Sequence, residues 1–256
     1  MLTDLHRLLQ EITIVFRLLP LCYFFSWFFG GIRCFKILLK TRSVGILDQL
    51  LGSSFEVTWN HQRLRFDQLD FGVVREIYGH LCYAKPGELK NARHILDLGA
   101  NSGAFTVFAA LEAPEGQIEA IEIQSHLVRS AKLNVEQNHC EKKVNVRCAA
   151  VGSAHNQWVQ TVLKEDPQIE IFDIENYISK VGTCDFLKCD VEGGEFSLFA
   201  GNLDWTRAVK KMALEYHPTE GDVDRLEQTL KKQGFDVKRV DHSCLGYLYC
   251  SRNKTS

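Results

Sequence analysis

The sequence predicts an α/β fold, a mostly parallel sheet with helices on both faces and an antiparallel hairpin at its C-terminal end. Three observations lead there. Apolar runs at 94–100 (HILDLGA), 117–123 (QIEAIEI), 144–151 (VNVRCAAV), 186–191 (FLKCDV) and 210–216 (KKMALEY) recur with helical stretches between them, the spacing of βαβ units. Several of these runs are nearly continuously apolar, as strands buried on both faces require. The last two runs, FDVKRV (235–240) and GYLYCS (246–251), are separated only by Asp241–Leu245, too few residues for a crossover helix, so they pair antiparallel.

The remaining elements follow in chain order. FEVTWN and RLRF alternate apolar and polar residues around Asn60-His61-Gln62 and form a small hairpin. Asp70–Tyr78 reads as helix, and Lys85-Pro86-Gly87 as the turn leading into the first core strand. Helices are expected at 102–111, 125–138, 175–181 (after a short QIEIF strand at 168–172), 195–203 and 222–233, the last closed by Gly234. The chain divides into an apolar, basic-flanked segment (1–42), a hairpin-and-helix unit covering the cleft (43–93), and the core (94–256).

A chain of 256 residues, 45% hydrophobic, buries a sizeable core without staples. Thirty basic residues against 32 acidic ones argue against an electrostatically driven nucleic-acid binder. Nine cysteines lie scattered through apolar stretches with no C-x-x-C pair, which reads as small core residues in a reducing, cytoplasmic setting. Charge is unevenly distributed. Residues 1–42 carry a net +4 and eight of the 27 aromatics, leaving −6 for the remainder.

Within that first segment, fifteen uncharged residues separate Arg17 from Arg33. As helix they extend about 22 Å, short of a hydrocarbon core of about 30 Å. Extending the run back to Ile12 places Arg17 inside the apolar stretch and retains Pro20. Three placements stay open: at a membrane interface on the cytoplasmic face, with Trp27 and Tyr23 at headgroup level and Arg33, Lys36, Lys40 and Arg42 on anionic lipid; across a membrane with tilt; or packed on the body or a second subunit.

Two clusters carry the chemistry. In Asp97-Leu98-Gly99-Ala100-Asn101-Ser102-Gly103 a strand ends in a glycine turn that opens a helix, where a ligand approaches bare backbone. The glycines are spaced G-x-x-x-G, so the dinucleotide fingerprint is not met. Glu122 ends the second strand, positioned to accept hydrogen bonds from a ribose diol. The second cluster, Asp185 to Glu195, places Lys188 and Asp190 two residues apart at a strand end, the ligand edge of such a sheet. Glu195 is read as an acid favoured at a helix start by the dipole. The next strand ends in Glu215-Tyr216-His217, which supplies a general base and its partner. Asp190, Glu215 and His217 also form a donor set for a divalent cation, a reading kept second to metal-free chemistry.

Together ILDLGANSGAF (95–105), Glu122 with SAKLNVEQN (130–138), AAVGS (149–153), DFLKCDVEGGEF (185–196) and MALEYHP (212–218) resemble the FkbM-type S-adenosylmethionine-dependent methyltransferases over about residues 55–252. The K-x-D-V-E-G-x-E string is the specific part. The resemblance implies a class I methyltransferase (Rossmann-like) fold with a seven-stranded sheet. It places Asp97, Gly99, Asn101 and Gly103 along the methionine and ribose of S-adenosylmethionine, Glu122 at the ribose diol and Ala150 near the adenine. It further implies O-methylation of a hydroxyl on a sugar, glycolipid or polyketide-like acceptor. Lys188, Asp190, Glu215 and His217 are then the catalytic candidates, with His217 or Asp190 as base, Lys188 stabilising developing negative charge and Glu215 orienting the acceptor. The alternatives are an inactive cofactor-binding module serving as a membrane-docked scaffold, or a metal-dependent O-methyltransferase. In two respects the sequence departs from the family: Ile123 stands where a proline is usual, and the N-terminal segment lies outside the match.

Overall fold

In the computed structural model, residues 2–34, 45–151, 168–242 and 244–252 are described, together with positions 160, 163 and 164. Lys36, Lys40, Arg42 and the Gly152-Ser153 end of the AAVGS motif lie outside the described residues.

Among the described residues ten strands form two sheets. β1 (Ser54–Trp59) and β2 (Gln62–Asp67) make the predicted hairpin. Its two-residue turn, Asn60-His61, takes positive φ at both positions, the twist that suits flanking strands. The main sheet contains β3 (His94–Leu98), β4 (Gln117–Glu122), β5 (Val144–Val151), β6 (Glu170–Phe172), β7 (Cys184–Cys189), β8 (Val209–Tyr216), β9 (Asp236–Asp241) and β10 (Gly246–Ser251). Its order is β6-β5-β4-β3-β7-β8-β10-β9. β10 inserts antiparallel between β8 and the edge strand β9, while β3 to β8 pair in parallel. The sheet has eight strands, one more than the resemblance implies. The addition is the three-residue β6, which continues the edge beyond β5.

Strand alternation divides the interior into two apolar layers. Ile95, Ala120, Phe186, Ala213 and Tyr247 face one cluster; Leu96, Ile121, Leu187, Leu214 and Leu248 face the other. The first layer is covered by helices α3 (Ala104–Glu112) and α4 (Ser125–Gln137), the β1–β2 hairpin and the N-terminal helices α1 (Leu2–Leu18) and α2 (Leu21–Arg33). The second is covered by α5 (Ile174–Val181) and α6 (Val223–Lys232) with the short turns between β7 and β8.

Several boundaries differ from expectation for local reasons. β3 stops at Leu98 because Gly99 takes φ +75, and α3 starts at Ala104 because Gly103 takes φ +85. The helix expected over 195–203 spans only Glu195–Leu198, ahead of Gly201-Asn202. At 71–80 a short α-turn runs into a π-helical turn, Arg75–His80, that ends in left-handed Leu81.

The N-terminal segment forms two helices broken at Leu19-Pro20, and they pack on the body. Val15, Leu18, Leu19, Phe24 and Trp27 enter the first apolar layer. Trp27 is 1% exposed and donates its indole N–H to Asp48 Oδ1 at 3.2 Å, so it does not sit at headgroup level; Tyr23 is only half-buried. Among the described residues no helix is long and apolar enough to cross a membrane.

One buried ion cluster fixes this docking. Arg75 reaches Asp48 Oδ2 at 2.9 Å and Glu11 Oε2 at 2.7 Å, tying α1 and the 45–48 turn to the π-helical turn. Burial raises the Asp48 carboxyl above its ordinary value even against the nearby guanidinium. Arg75→Ala leaves two buried carboxylates without their cation and is expected to cost about 3–5 kcal/mol in urea denaturation, far more than Arg63→Ala on the exposed hairpin.

Candidate active site

The site lies where β3, β7 and β8 end. Register places Asp97 opposite Lys188 and Glu215 opposite Tyr247, all on the layer facing the N-terminal unit. Asp190 follows directly on β7, held by its N–H to Leu98 O at 3.0 Å, and His217 follows directly on β8. The structure therefore brings together all four residues named from the second and third motifs.

Lys188 is the centre of this group and is 3% exposed. Its ammonium lies 3.3 Å from Asp97 Oδ1, 3.6 Å from Asp190 Oδ2 and 3.4 Å from Leu98 O, and it donates to Gly99 O. Burial opposes its charge, but Asp97, Asp190 and Glu215 outweigh that and raise its pKa, so it stays protonated. Asp97 is fully buried as well. Its Oδ2 accepts from Thr106 at 2.6 Å, and its Oδ1 makes no well-aligned hydrogen bond despite the nearby ammonium. Asp97 thus holds the lysine from inside the sheet.

Tyr83, from the segment before β3, completes the cluster. Its hydroxyl lies 2.9 Å from Asp190 Oδ2 and 2.6 Å from Glu215 Oε2, and its ring sits 5.1 Å from the Lys188 ammonium. A phenol has one proton, so it cannot donate to both carboxylates at once. Burial, then Asp190, raises Glu215 to about 7, so near neutrality Glu215 itself carries a proton part of the time and resolves the conflict.

Glu195 holds His217. Fully buried, it accepts from the His217 backbone N–H at 3.0 Å and from Gly193 N at 2.8 Å, and lies 3.3 Å from His217 Nδ1. Nε2 faces Glu192 Oε2 at 3.4 Å and Glu215 Oε1 at 3.9 Å. Burial opposes protonation of the ring, but Glu195, with Glu192 and Asp190, prevails and raises His217 above its ordinary value. The dipole explanation for Glu195 is therefore incomplete: the side chain orients an imidazole. Its signal was its place in the E-G-x-E string. Tyr83 carried no comparable signal, since no periodicity sets it apart from the other aromatics of the cap.

The glycine loop is shaped for close approach. A Cβ on Gly99 would stand 1.6 Å from Asp190 O, so the loop lies flush against the end of β7. Gly103 serves packing: a Cβ there would meet Ala131 of α4 at 3.0 Å. Asn101, at φ +51, caps its own turn by accepting from Ser102 N at 2.6 Å. Glu122 accepts from Asn101 N at 2.8 Å and Gln124 N at 2.9 Å, which ties the end of β4 to the loop and leaves further lone pairs for a diol. From α4, Asn134 accepts from Asp67 N and donates to Asp67 O and Ser102 O, joining hairpin to loop. Ala150 is fully buried on β5, beside residues outside the described set.

These features fit S-adenosylmethionine: bare backbone at Gly99, an acid at the second strand end, and carboxylates beyond β7 and β8 that suit a cationic sulfur. The fold is that of the class I, Rossmann-like methyltransferases. A family model described as Methyltransferase FkbM domain matches residues 97–237, and the chain belongs to that family. It is 28% identical over 126 residues to the ribosomal RNA large subunit methyltransferase G of Serratia proteamaculans (strain 568), a match covering 46% of this chain and 32% of that protein's length. Among solved structures it is similar to the fibrillarin pre-rRNA processing protein of Methanococcus jannaschii (14% identity, TM-score 0.49, 79% of this chain and 84% of that one). It is similar too to Aeropyrum pernix fibrillarin with natively bound S-adenosyl-L-methionine (15%, 0.48, 78% and 83%).

The Glu215 shift has a sign that stability measurements can read. A carboxyl whose folded pKa is raised contributes stability below its unfolded value and loses it as pH climbs toward about 7. Glu215→Gln is therefore expected to match the parent near pH 4.5 and exceed it above pH 7, by up to about 3 kcal/mol in urea titrations run across that range.

Proposed function

We propose that the protein transfers a methyl group from S-adenosylmethionine to a hydroxyl oxygen of a sugar, glycolipid or polyketide-like acceptor, with His217 as general base. The observation carrying this reading is the buried Glu195 beside His217 Nδ1, which leaves Nε2 turned toward Glu192 and Glu215. When bound, the cofactor supplies an electrophilic methyl on a cationic sulfur.

A hydroxyl is a weak nucleophile at neutral pH, so its proton must leave as the new C–O bond forms. His217 Nε2 takes that proton, and Glu195 stabilises the resulting imidazolium, the role of the carboxylate in a hydrolase triad. Glu215, partly protonated and bonded to Tyr83, orients the acceptor hydroxyl. Asp190 faces the cleft at the end of β7 and is kept in place by Lys188. Lys188 is too buried to touch an acceptor and acts by fixing Asp190 and the glycine loop. The relative's printed name concerns ribosomal RNA; the −6 charge of residues 43–256 and this acidic cleft favour a neutral hydroxyl acceptor over a polyanion.

A specific arrangement supports a second, metal-dependent reading. Asp190, Glu192 and His217 each offer a ligand atom within 4.8 Å of the others; Glu192 replaces Glu215 in the donor set drawn from the sequence. Metal-free transfer predicts that EDTA leaves labelled-methyl incorporation unchanged, whereas loss on chelation with recovery on magnesium establishes the metal reading.

His217→Ala is expected to lower transfer of labelled methyl into a fractionated extract by about 10²–10⁴-fold while calorimetric cofactor binding persists. The pH–rate limb should rise with a midpoint above the ordinary histidine value, and Glu195→Gln should move it to lower pH. Full activity in His217→Ala rejects the assignment.

A further inference from the structure

Helix α2 has two unlike sides. Phe24 and Trp27 pack inward, whereas Leu21, Phe25, Phe28, Phe29 and Ile32 fall on one outward arc of about 100°. With Phe16 of α1 these outward side chains are between 37% and 60% exposed. Their rings are joined, in part through the inward Phe24: Phe16 meets Phe24 edge-on and Phe28 stacks on Phe24, while Phe25 stacks on Phe29 and Phe28 meets Phe29 edge-on. A contiguous exposed patch of large apolar side chains marks an interaction surface.

Charge identifies what it meets. Residues 12–42 contain five basic side chains and no acidic one. Exposed Arg17 and Arg33 bracket the patch at its two ends. A second copy docked face to face would bring like charges together, while an anionic surface complements them. The exposed hydroxyls beside the patch make few demands on water: Thr13 donates to Leu9 O at 2.8 Å and Ser26 to Cys22 O at 3.2 Å, each within its own helix. At 13 residues α2 extends about 20 Å, too short to span.

We propose that the outer face of α2, with Phe16, lies flat in the headgroup layer of an anionic lipid bilayer, its aromatic side chains in the acyl boundary and Arg17 and Arg33 on lipid phosphates. The opposite face stays locked to the body through Trp27 and Asp48, so the body docks as a rigid attachment. α1 packs at Gly79 through Ile14 and Leu18, within the π-helical turn that leads to Tyr83, so the docking element and the cleft share a support.

Co-sedimentation of the full chain with phosphatidylcholine vesicles, with and without phosphatidylserine, tests this. Partition should be about tenfold stronger with phosphatidylserine and weaken with salt, and the Phe25→Glu, Phe29→Glu double variant should lose it while keeping its circular dichroism and thermal melt. Should that variant misfold, Phe29→Trp decides: emission shifts to the blue on adding phosphatidylserine vesicles if the face inserts, and stays unchanged if it does not. Absence of partition by the parent chain overturns the proposal, as does a concentration-dependent dimer that masks the face and leaves vesicles unbound. Partition requires no turnover, so its failure leaves the assignment of His217 untouched.

Discussion

The ammonium of Lys188 is the interaction on which the site depends. It is buried among Asp97, Asp190 and the carbonyls of Leu98 and Gly99, so one charge joins the first core strand, the glycine loop and the end of β7. A buried cation is tolerated only when its acceptors are close and fixed, and here backbone supplies two of them. The same requirement explains Gly99, since any side chain there would push Asp190 O away and open the loop. The glycine loop and the carboxylates at the end of β7 are therefore one electrostatic unit.

Around that unit, parallel register does most of the positioning. Asp97, Lys188 and Glu215 share a face because strand alternation and pairing offset leave no other arrangement, and the N-terminal unit covers that face. Polar clamps then hold the cover in place: Asn134 joins Asp67 to Ser102, and Glu112 accepts from Trp59, Asn60 and Gly87.

Much of this was legible in the sequence because it depends on period. β5 and β10 match the expected limits, and the glycine turn, the strand-end acids and the C-terminal hairpin follow from local patterns. What was not legible depends on long-range contact. Trp27 looks interfacial in composition, but an aspartate 21 residues later accepts its N–H. Glu195 looks like a dipole-favoured acid until β8 brings His217 to it. Tyr83 stands 107 residues before Asp190 and 132 before Glu215, distances at which no pattern operates. The eighth strand is legible at QIEIF (168–172) from its apolar residues and forms over Glu170–Phe172; it is absent only from the seven-strand count that the resemblance implies.

The Tyr83 bridge makes the seating of the cover and the charge of the cleft floor a single variable. With the phenol in place, Asp190 and Glu215 are separated by a hydrogen-bonding group. With it withdrawn, Glu215 would lose the hydrogen bond that favours its charged form and face Asp190 directly, so it would hold its proton more firmly. A loosened cover would thus change the protonation of the floor before it changed its shape, and an acceptor that pries Tyr83 aside would meet a different acid from the one present beforehand.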